Sequence, residues 1–268
     1  MAAIDIDRHL LTESPSPVVL AVASHGAVER SSEPHRHARG QLFGSTRGLL
    51  TVGLDEGVWV VPATHAVWVP PRALHWARSH GPFAGYAAYV AEASCADLPA
   101  RPCSIRCSHL LRESVLRAVE WDGGPLDARG ERLAAVMLDE IRHLRVDPLG
   151  LPLPHDARLL RIARAILDDP ASERGLDDWA VWAAVGARTL SRRFVDETGF
   201  TFTAWRQRAR LLRALQMMAD GVPVTTIALD LGYSTPSTFI ALFRRTFGAT
   251  PAVYRQRIGN SEPPAAAG

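Results

Sequence analysis

Residues 188–194 read Arg188-Thr-Leu-Ser-Arg-Arg-Phe194, and the fold of the C-terminal half follows from them. At about 100° per residue, Arg188, Ser191 and Arg192 share one side of a helix while Leu190 and Phe194 share another. Such a helix can bury one side and offer the other to a groove. Upstream, Leu176-Asp-Asp-Trp-Ala-Val-Trp-Ala-Ala-Val185 reads as a helix, broken by Gly186 before the next one over Ala187–Thr198. The arrangement repeats downstream. Val224–Leu231 is a supporting helix and Gly232-Tyr-Ser234 a turn. Thr235 then caps a helix running to about Phe247, with Pro236 in its first position. Ser237, Thr238, Ala241, Arg244 and Arg245 lie together on it, opposite Phe239, Leu242 and Phe243.

Between the two units, roughly Thr203–Ala219 reads as a joining helix. Ala204, Arg208, Leu211, Leu212, Leu215 and Met218 recur at helical spacing, with Arg206, Arg210 and Arg213 on the far side, and Gly221 and Pro223 end it. A rod of this length, about 25 Å at 1.5 Å per residue, can hold two recognition helices near one DNA turn apart, about 34 Å.

Arginine near the start of such a helix can bond guanine O6 and N7 together, and short hydroxyl side chains fit close to a base edge. The faces therefore predict base reading by Arg188, Ser191, Arg192, Ser237, Thr238 and Ala241. Phosphate contacts are expected from Arg206, Arg210, Arg244 and Arg245, which position without reading sequence. A plain solvated arginine face is the alternative, and the tandem repetition argues against it.

These residues resemble the DNA-binding domain of AraC-type transcriptional regulators. The resemblance is carried by Leu190-x-Arg192-x-Phe194, by Ile227-Ala228-x-x-x-Gly232-Tyr233, and by Phe243-Arg-Arg-x-Phe-Gly248-x-Thr-Pro251-x-x-Tyr254-Arg255. Two positions depart from the pattern. Gly186 stands where a serine cap is usual, and Ala241 where many members carry a base-reading arginine.

The 268 residues, 47% of them hydrophobic, suit two globular domains. No apolar run approaches the ~18 residues of a membrane span, and the N-terminus lacks a basic-then-apolar signal pattern, so a cytoplasmic location is expected. The formal net charge is only +2, yet residues 176–257 hold eleven Arg against six Asp and Glu. That imbalance suggests a polyanionic partner. All 30 basic residues are arginine, which fits the codon bias of a GC-rich genome and carries no functional conclusion. Cys95, Cys103 and Cys107 lack metal-type pairing; they read as structural thiols, with a redox sensor as the alternative.

Residues 1–17 read as a loose arm. Val18–Ser24, Gln41–Thr46, Leu49–Leu54, Val58–Val61, Ala66–Val69, His75–Ser79 and Gly85–Val90 then follow as short candidate strands. Their number and spacing argue for a sandwich or small barrel, and a small barrel can enclose one ligand. Within it lie His35-x-His37, then Gln41 after three intervening residues, Gly48 after six more, and later Pro70-Pro-Arg-Ala-Leu-His75. Histidines two apart face the same side of a strand. The pattern resembles the two motifs of the cupin fold, with Gln41 in place of a carboxylate and Arg72 in place of a glycine. That resemblance implies that His35, His37, His75 and Gln41 could hold a divalent metal such as Zn, Ni or Fe. Without metal, the same residues would bond a small effector or be satisfied in the core. Trp59, Trp68, Trp76, Phe43 and Tyr86 are candidates for a pocket wall, or plain core.

After residue 107 the period becomes helical. His109–Trp121 carries an apolar stripe of Leu110, Val115, Leu116 and Val119. Ala128–Arg145 carries Leu133, Val136, Met137, Glu140 and Ile141. The family resemblance implies that these helices form a homodimer contact; packing on the barrel is the alternative. Three prolines mark 147–154 as a linker. Asp156–Asp169 opens the DNA-binding domain, its stripe Leu159, Ile162, Ala163 and Ile166 set to pack on the helix around Trp179 and Trp182. The tail from Gly259 reads as disordered.

The expected architecture is thus α+β in two domains. A cupin-like barrel spans 1–107, a helical segment 108–146, a linker 147–154, an all-α tandem helix-turn-helix domain 155–257, and a tail 258–268. With Ala66-Val-Trp-Val-Pro-Pro71 and Phe239-Ile-Ala-Leu-Phe243, the chain looks like the NimR-like subgroup of AraC-type regulators. This implies an activator or repressor that binds a double-stranded operator, answers an unknown small effector or metal, and is not an enzyme. The rival reading is a metal-dependent cupin oxygenase or isomerase using His35, His37 and His75, with a helical appendage; no Gly-x-Ser-x-Gly nucleophile motif occurs.

Overall fold

The structure, a computed structural model, describes residues 17–62, 65–121, 123–143 and 150–259. Most of the arm at 1–17, the linker residues 147–149 and the tail beyond Gly259 lie outside the described residues. The chain divides into two compact units. One contains the strands up to Leu54 and Trp59–Gly150; the other contains Asp55–Val58 and Leu151–Arg257.

The first unit is built on antiparallel strands β1 (Val19–Gly26), β2 (Gly40–Leu54), β3 (Gly57–Pro62), β4 (His65–Val69), β5 (His75–Val90) and β6 (Cys103–Arg106). With β7 (Gly150–Pro152) they form one sheet in the order β1-β5-β2-β3-β7, with β4 pairing β2 and β6 pairing β4. Two expected strand pairs turn out to be single long strands. Gln41–Thr46 and Leu49–Leu54 are both in β2, and His75–Ser79 and Gly85–Val90 are both in β5. The glycines that suggested breaks instead mark an irregularity within the ladder. Register shifts fall between Ser45 and Leu49 on β2, where Gly48 has φ +77 and a Cβ would stand 2.5 Å from the Pro82 carbonyl oxygen.

The sheet packs on both faces. One carries Leu42, Trp68, Tyr86, Ala88 and Ile105 against helices α1 (His109–Ala118) and α2 (Ala128–His143), which contribute Leu111, Val115, Ala134, Met137 and Ile141. The other face gathers Phe43, Val52, Trp59, Val61, Val67 and Val69. Packing on the sheet is therefore what the buried faces of both helices do. The stripe anticipated on α2 is shifted: Ala134 is buried, Val136 is exposed, and Glu140 accepts a short hydrogen bond from the Ser108 hydroxyl. Trp68 belongs wholly to the core, its indole N–H donating to the Pro99 carbonyl at 2.8 Å.

The second unit is helical: α3 (Ala157–Asp168), α4 (Leu176–Trp182), α5 (Ala187–Thr198), α6 (Phe202–Ala219), α7 (Val224–Asp230), α8 (Pro236–Phe247) and α9 (Pro251–Gly259). Asp156 caps α3 through the backbone N–H groups of Arg158 and Leu159. Leu159, Ile162, Ala163 and Ile166 are buried as their spacing requires. Trp179 is buried, whereas Trp182 is 40% exposed and meets α3 through Arg161, which lies over its ring at 4.8 Å. The expected linker is corrected in its second half. Leu151 and Leu153 are buried, Leu153 N–H donates to the Glu56 carbonyl at 2.9 Å, and the Trp205 indole donates to Pro152 O at 2.7 Å. Prolines remove backbone donors but leave the carbonyls, and here the Pro152 carbonyl is used.

Candidate nucleic-acid interface and histidine cluster

Helix α4 ends at Trp182, three residues earlier than its sequence suggested. Ala184 takes φ +52, and Val185 N–H closes back on Ala180 O at 2.9 Å. This is a left-handed helix C-terminus of the kind that favours glycine. The second unit has glycine there: Gly232 at φ +74, with Tyr233 N–H on Ala228 O at 3.0 Å. Each turn redirects the chain into the next helix, α5 or α8. Gly186 starts α5 without a side-chain cap, whereas Thr235 starts α8 and accepts from Thr238 N–H.

On α5, Leu190, Phe194 and Thr198 are buried while Arg188, Thr189, Ser191 and Arg192 are exposed. On α8, Phe239 and Phe243 are buried and Ser237, Thr238, Ala241, Arg244 and Arg245 are exposed. The six expected base-reading residues thus fall on two exposed faces, three to a helix. Between the helices runs α6, 18 residues and so about 27 Å long.

Arg206 and Arg210, expected at phosphates, make hydrogen bonds within the domain. Both are half-buried and hold the loop before α4: Arg206 donates to Arg174 O and Ser172 O, and Arg210 to Pro170 O and Ser172 O. Carbonyls that no helix satisfies take these donors, so both guanidiniums are engaged in holding this loop. On the back of α5, Arg193 bridges Asp156 and Glu197, and the Glu197 carboxylate accepts the backbone N–H groups of His155 and Asp156. This network was not anticipated. Hydrogen bonding from Arg158, foremost, holds the Asp156 carboxyl at about 2.

In the strand unit, His35 and His37 do not sit on a regular strand. They lie in an irregular segment before β2, where His35 and His75 exchange both backbone hydrogen bonds at 2.9 Å. Arg72 has φ 63, and its N–H donates to His37 O at 2.9 Å. That left-handed backbone explains why glycine fits this position. A bidentate pair to Glu92, at 2.7 and 2.8 Å, anchors the arginine side chain instead.

The sequence-predicted residues do come together. One ring nitrogen from each of His35, His37 and His75 lies within 4.8 Å of the others. Each Nδ1 sits 2.8–2.9 Å from a backbone carbonyl: His35 on Glu33, His37 on Arg39, His75 on Ala73. A carbonyl only accepts, so each Nδ1 carries the proton and each neutral ring keeps its lone pair on Nε2. Gln41 Oε1 lies 3.0 Å from His37 Nε2 and 2.9 Å from His75 Nε2. Three imidazole lone pairs and an amide oxygen thus converge, each ring oriented by an outer hydrogen bond, which is a donor set that fits a divalent metal. Burial favours the neutral form of two of the rings: it lowers His37 and takes His75 down to about 4.

Gln41 also reaches the other way. Its Cα partner across the β2–β5 ladder is Tyr89, and both line a cavity of about 310 Å³ with Val22, Phe43, Leu50 and Tyr86. Of the aromatic candidates, Phe43 and Tyr86 line this cavity. Trp59 and Trp68 are core, and Trp76 covers Gly53. Tyr89 and Phe83 were missed as wall residues, because reading β5 as two strands hid their register. The three cysteines are unpaired thiols, and burial lifts Cys95 and Cys103 to about 11, which suits structural roles.

Among the described residues no helix is long and apolar enough to cross a membrane. Residues 179–257 match a family model described as a helix-turn-helix domain. The chain is 30% identical over 245 residues to the HTH-type transcriptional regulator NimR of Escherichia coli (strain K12), covering 90% of this chain and 88% of that protein. It is 34% identical over 110 residues to the transcriptional regulator RipA of Corynebacterium glutamicum, covering 41% of this chain and 33% of that one. A crystal structure of ToxT from Vibrio cholerae aligns with TM-score 0.40 and 10% identity, over 89% of this chain and 97% of that chain. The enzyme reading falls with these relatives, which regulate transcription. The chain, a strand-rich unit followed by two helix-turn-helix units, belongs to the AraC-type family of DNA-binding transcriptional regulators.

Proposed function

We propose that this regulator reads its operator mainly through α5, and that a cupin-like barrel holding a divalent metal or a small molecule sets its affinity. Arg188 and Arg192 can each fork onto a guanine edge, with Ser191 beside them, whereas Ser237, Thr238 and Ala241 on α8 cannot. Arg244 and Arg245 supply phosphate contacts that carry no sequence information. The outward residues of α1 and α2, Leu110 at 55% exposure and Val136 at 37%, support a homodimer through the faces the core leaves unused. The protein acts in the cytoplasm on double-stranded DNA.

One observation carries the sensing role: Gln41 belongs at once to the histidine cluster and to the wall of the cavity. If metal binds, His35, His37, His75 and Gln41 hold it, and it supplies a fixed positive charge in the cluster. A sensor must bind its ligand with different affinity in two arrangements of the protein, and the difference is what reaches the operator.

The test uses an operator found by genome-wide mapping of binding sites. Its affinity is measured by fluorescence anisotropy for the full chain stripped with EDTA, then loaded with Zn(II), Ni(II) or Fe(II). Wild type should change its operator affinity on loading, and His37→Ala should keep the metal-free affinity throughout. An equal response from both would remove the histidine cluster from the sensing role.

A further inference from the structure

Helix α6 joins the two helix-turn-helix units, α4–α5 before it in the chain and α7–α8 after it. A rod fixes how far apart two such units stand along its axis. Their rotation about that axis is left to lateral contacts. Arg206 and Arg210, four residues apart and so on one face of α6, make contacts of that kind. Toward the first unit, Arg206 donates to Arg174 O at 2.7 Å and to Ser172 O. Arg210 donates from Nε to Pro170 O at 2.7 Å and from Nη2 to Ser172 O at 3.5 Å. The same loop is seated on α4, where the Arg174 guanidinium lies 5.0 Å from the ring centre of Trp179 and 6.0 Å from that of Trp182.

Toward the second unit, Arg210 Cζ lies over the Tyr233 ring, 5.8 Å from its centre. The Tyr233 ring in turn lies 5.3 Å from that of Phe239, on the buried face of α8. The loop and the turn also meet directly: a Cβ on Gly232 would stand 3.2 Å from Ala171 O and 3.7 Å from Arg210 Nη2. One guanidinium therefore reaches both units. Its N–H fork suits two carbonyls while its face suits an aromatic ring, a combination that a lysine ammonium cannot make. Among the described residues the Tyr233 hydroxyl is buried with no hydrogen-bond partner, so the ring is the part of Tyr233 that Arg210 uses.

We propose that Arg210 is a positioning residue for operator binding: it locks α5 and α8 in one rotational relation about α6, so that α8 meets only the phosphates at a fixed distance from the bases that α5 reads. Arg206 holds the loop to which Arg210 is bound. This rests on the reading of α5 and α8 as the DNA-facing helices. Without the clasp, α5 stays registered by its bases. Helix α8 then swings about the rod, and phosphates, alike at every step of the duplex, do not hold it to one place.

The experiment is phosphate ethylation interference with the full chain on a mapped operator, which shows at which phosphates an added ethyl group blocks binding. Wild type should give two compact clusters about one DNA turn, 10–10.5 base pairs, apart; the one weakened by Arg244→Ala belongs to α8. Arg210→Met should leave the α5 cluster and erase the α8 cluster as a whole. It should also weaken binding by about ten-fold or more, because α8 loses its effective concentration at the duplex. Arg210→Lys, which keeps the charge, should do the same, and it decides the matter should Arg210→Met fail to fold by circular dichroism. Tyr233→Leu should follow them, while Tyr233→Phe should restore the wild-type pattern. An α8 cluster that stays in place in folded Arg210→Lys would overturn the proposal. So would loss at a single phosphate with a salt slope lower by about one, the mark of a direct phosphate contact by Arg210. If Arg244→Ala and Arg245→Ala leave every cluster unchanged, α8 does not face DNA, and the reading of the two helices falls together with the positioning role.

Discussion

The two helix-turn-helix units share one topology and differ in how they are held. The second, α7–α8, is locally well built. Glycine occupies its left-handed turn, threonine caps its recognition helix, and Phe239, Phe243, Phe247 and Tyr254 form a chain of rings with centroids 4.6–5.6 Å apart. The first, α4–α5, has alanine in the left-handed turn and no side-chain cap. It is steadied from outside instead. Phe194 packs on Phe202 and Trp205 of α6, Trp205 is tied to Pro152, and Arg193 and Glu197 bind the chain at His155 and Asp156. The unit proposed to read bases is the one whose support comes from the segment entering the domain. A unit held this way is open to influence through that segment; a self-contained one is not.

The comparison can be broken most severely by truncation. A fragment 155–257 loses buried Leu151 and Leu153 and orphans the Trp205 indole N–H. Against a fragment 151–257 it should be less stable by on the order of 5 kcal/mol. Thermal melts of both fragments measure this, and hydrogen exchange should show the loss concentrated in α4–α5. Equal stability would mean that the entering segment does not support the first unit.

Acid separates the strand unit from both helical ones. His75 is buried and its pKa is lowered to about 4; His37 is lowered as well. For a base whose folded pKa is depressed, the unfolded chain binds more protons. Stability is therefore full above about pH 6.5 and is lost as pH falls toward about 4, with His75 contributing at most about 3 kcal/mol. Residues 151–257 contain a single histidine, the exposed His155. In EDTA, the full chain should lose its strand-unit transition over this window, while fragment 151–257 melts at a nearly constant temperature.

Base reading sharpens the contrast between the two recognition helices. Arg192→Ala should cost about 1–3 kcal/mol of operator binding and relax preference at one position. Arg244→Ala should weaken all sequences alike and lower the salt slope by about one. Anisotropy titrations over a panel of single-base operator variants decide it. Unchanged affinity and preference in Arg192→Ala would exclude α5 as the reading helix.

The smallest effects lie in the turns. Ala184→Gly removes a left-handed alanine and should stabilise the domain by up to about 1 kcal/mol. Gly232→Ala introduces that strain and sets a Cβ 3.2 Å from the Ala171 carbonyl oxygen, so it should destabilise by about 1–2 kcal/mol. Opposite signs in urea melts of the two variants would confirm that the two turns are equivalent.

The helical half was legible because its information is local. Caps, breaks and the 3.6-residue period are set by neighbours along the chain, so α3, α5 and α8 and their buried faces follow from residues such as Asp156, Leu190 and Thr235. Spacing also named the histidine cluster and Gln41. What it could not give was long-range pairing. Gly48 looks like a strand end but is a bulge inside β2. Gln41 faces Tyr89 only because β2 and β5 run on past their irregularities in a fixed register. Arginines on the outer arc of α6 look solvated, yet Arg206 and Arg210 meet carbonyls some forty residues away in sequence or nearly so. The proline-marked connector ends in a strand because the Glu56 carbonyl and the Trp205 indole supply partners that lie far off in the chain. Sequence periodicity determines which face of an element is apolar; the tertiary structure alone decides which distant donor or acceptor meets it, since hydrogen bonds close between groups brought together only by folding.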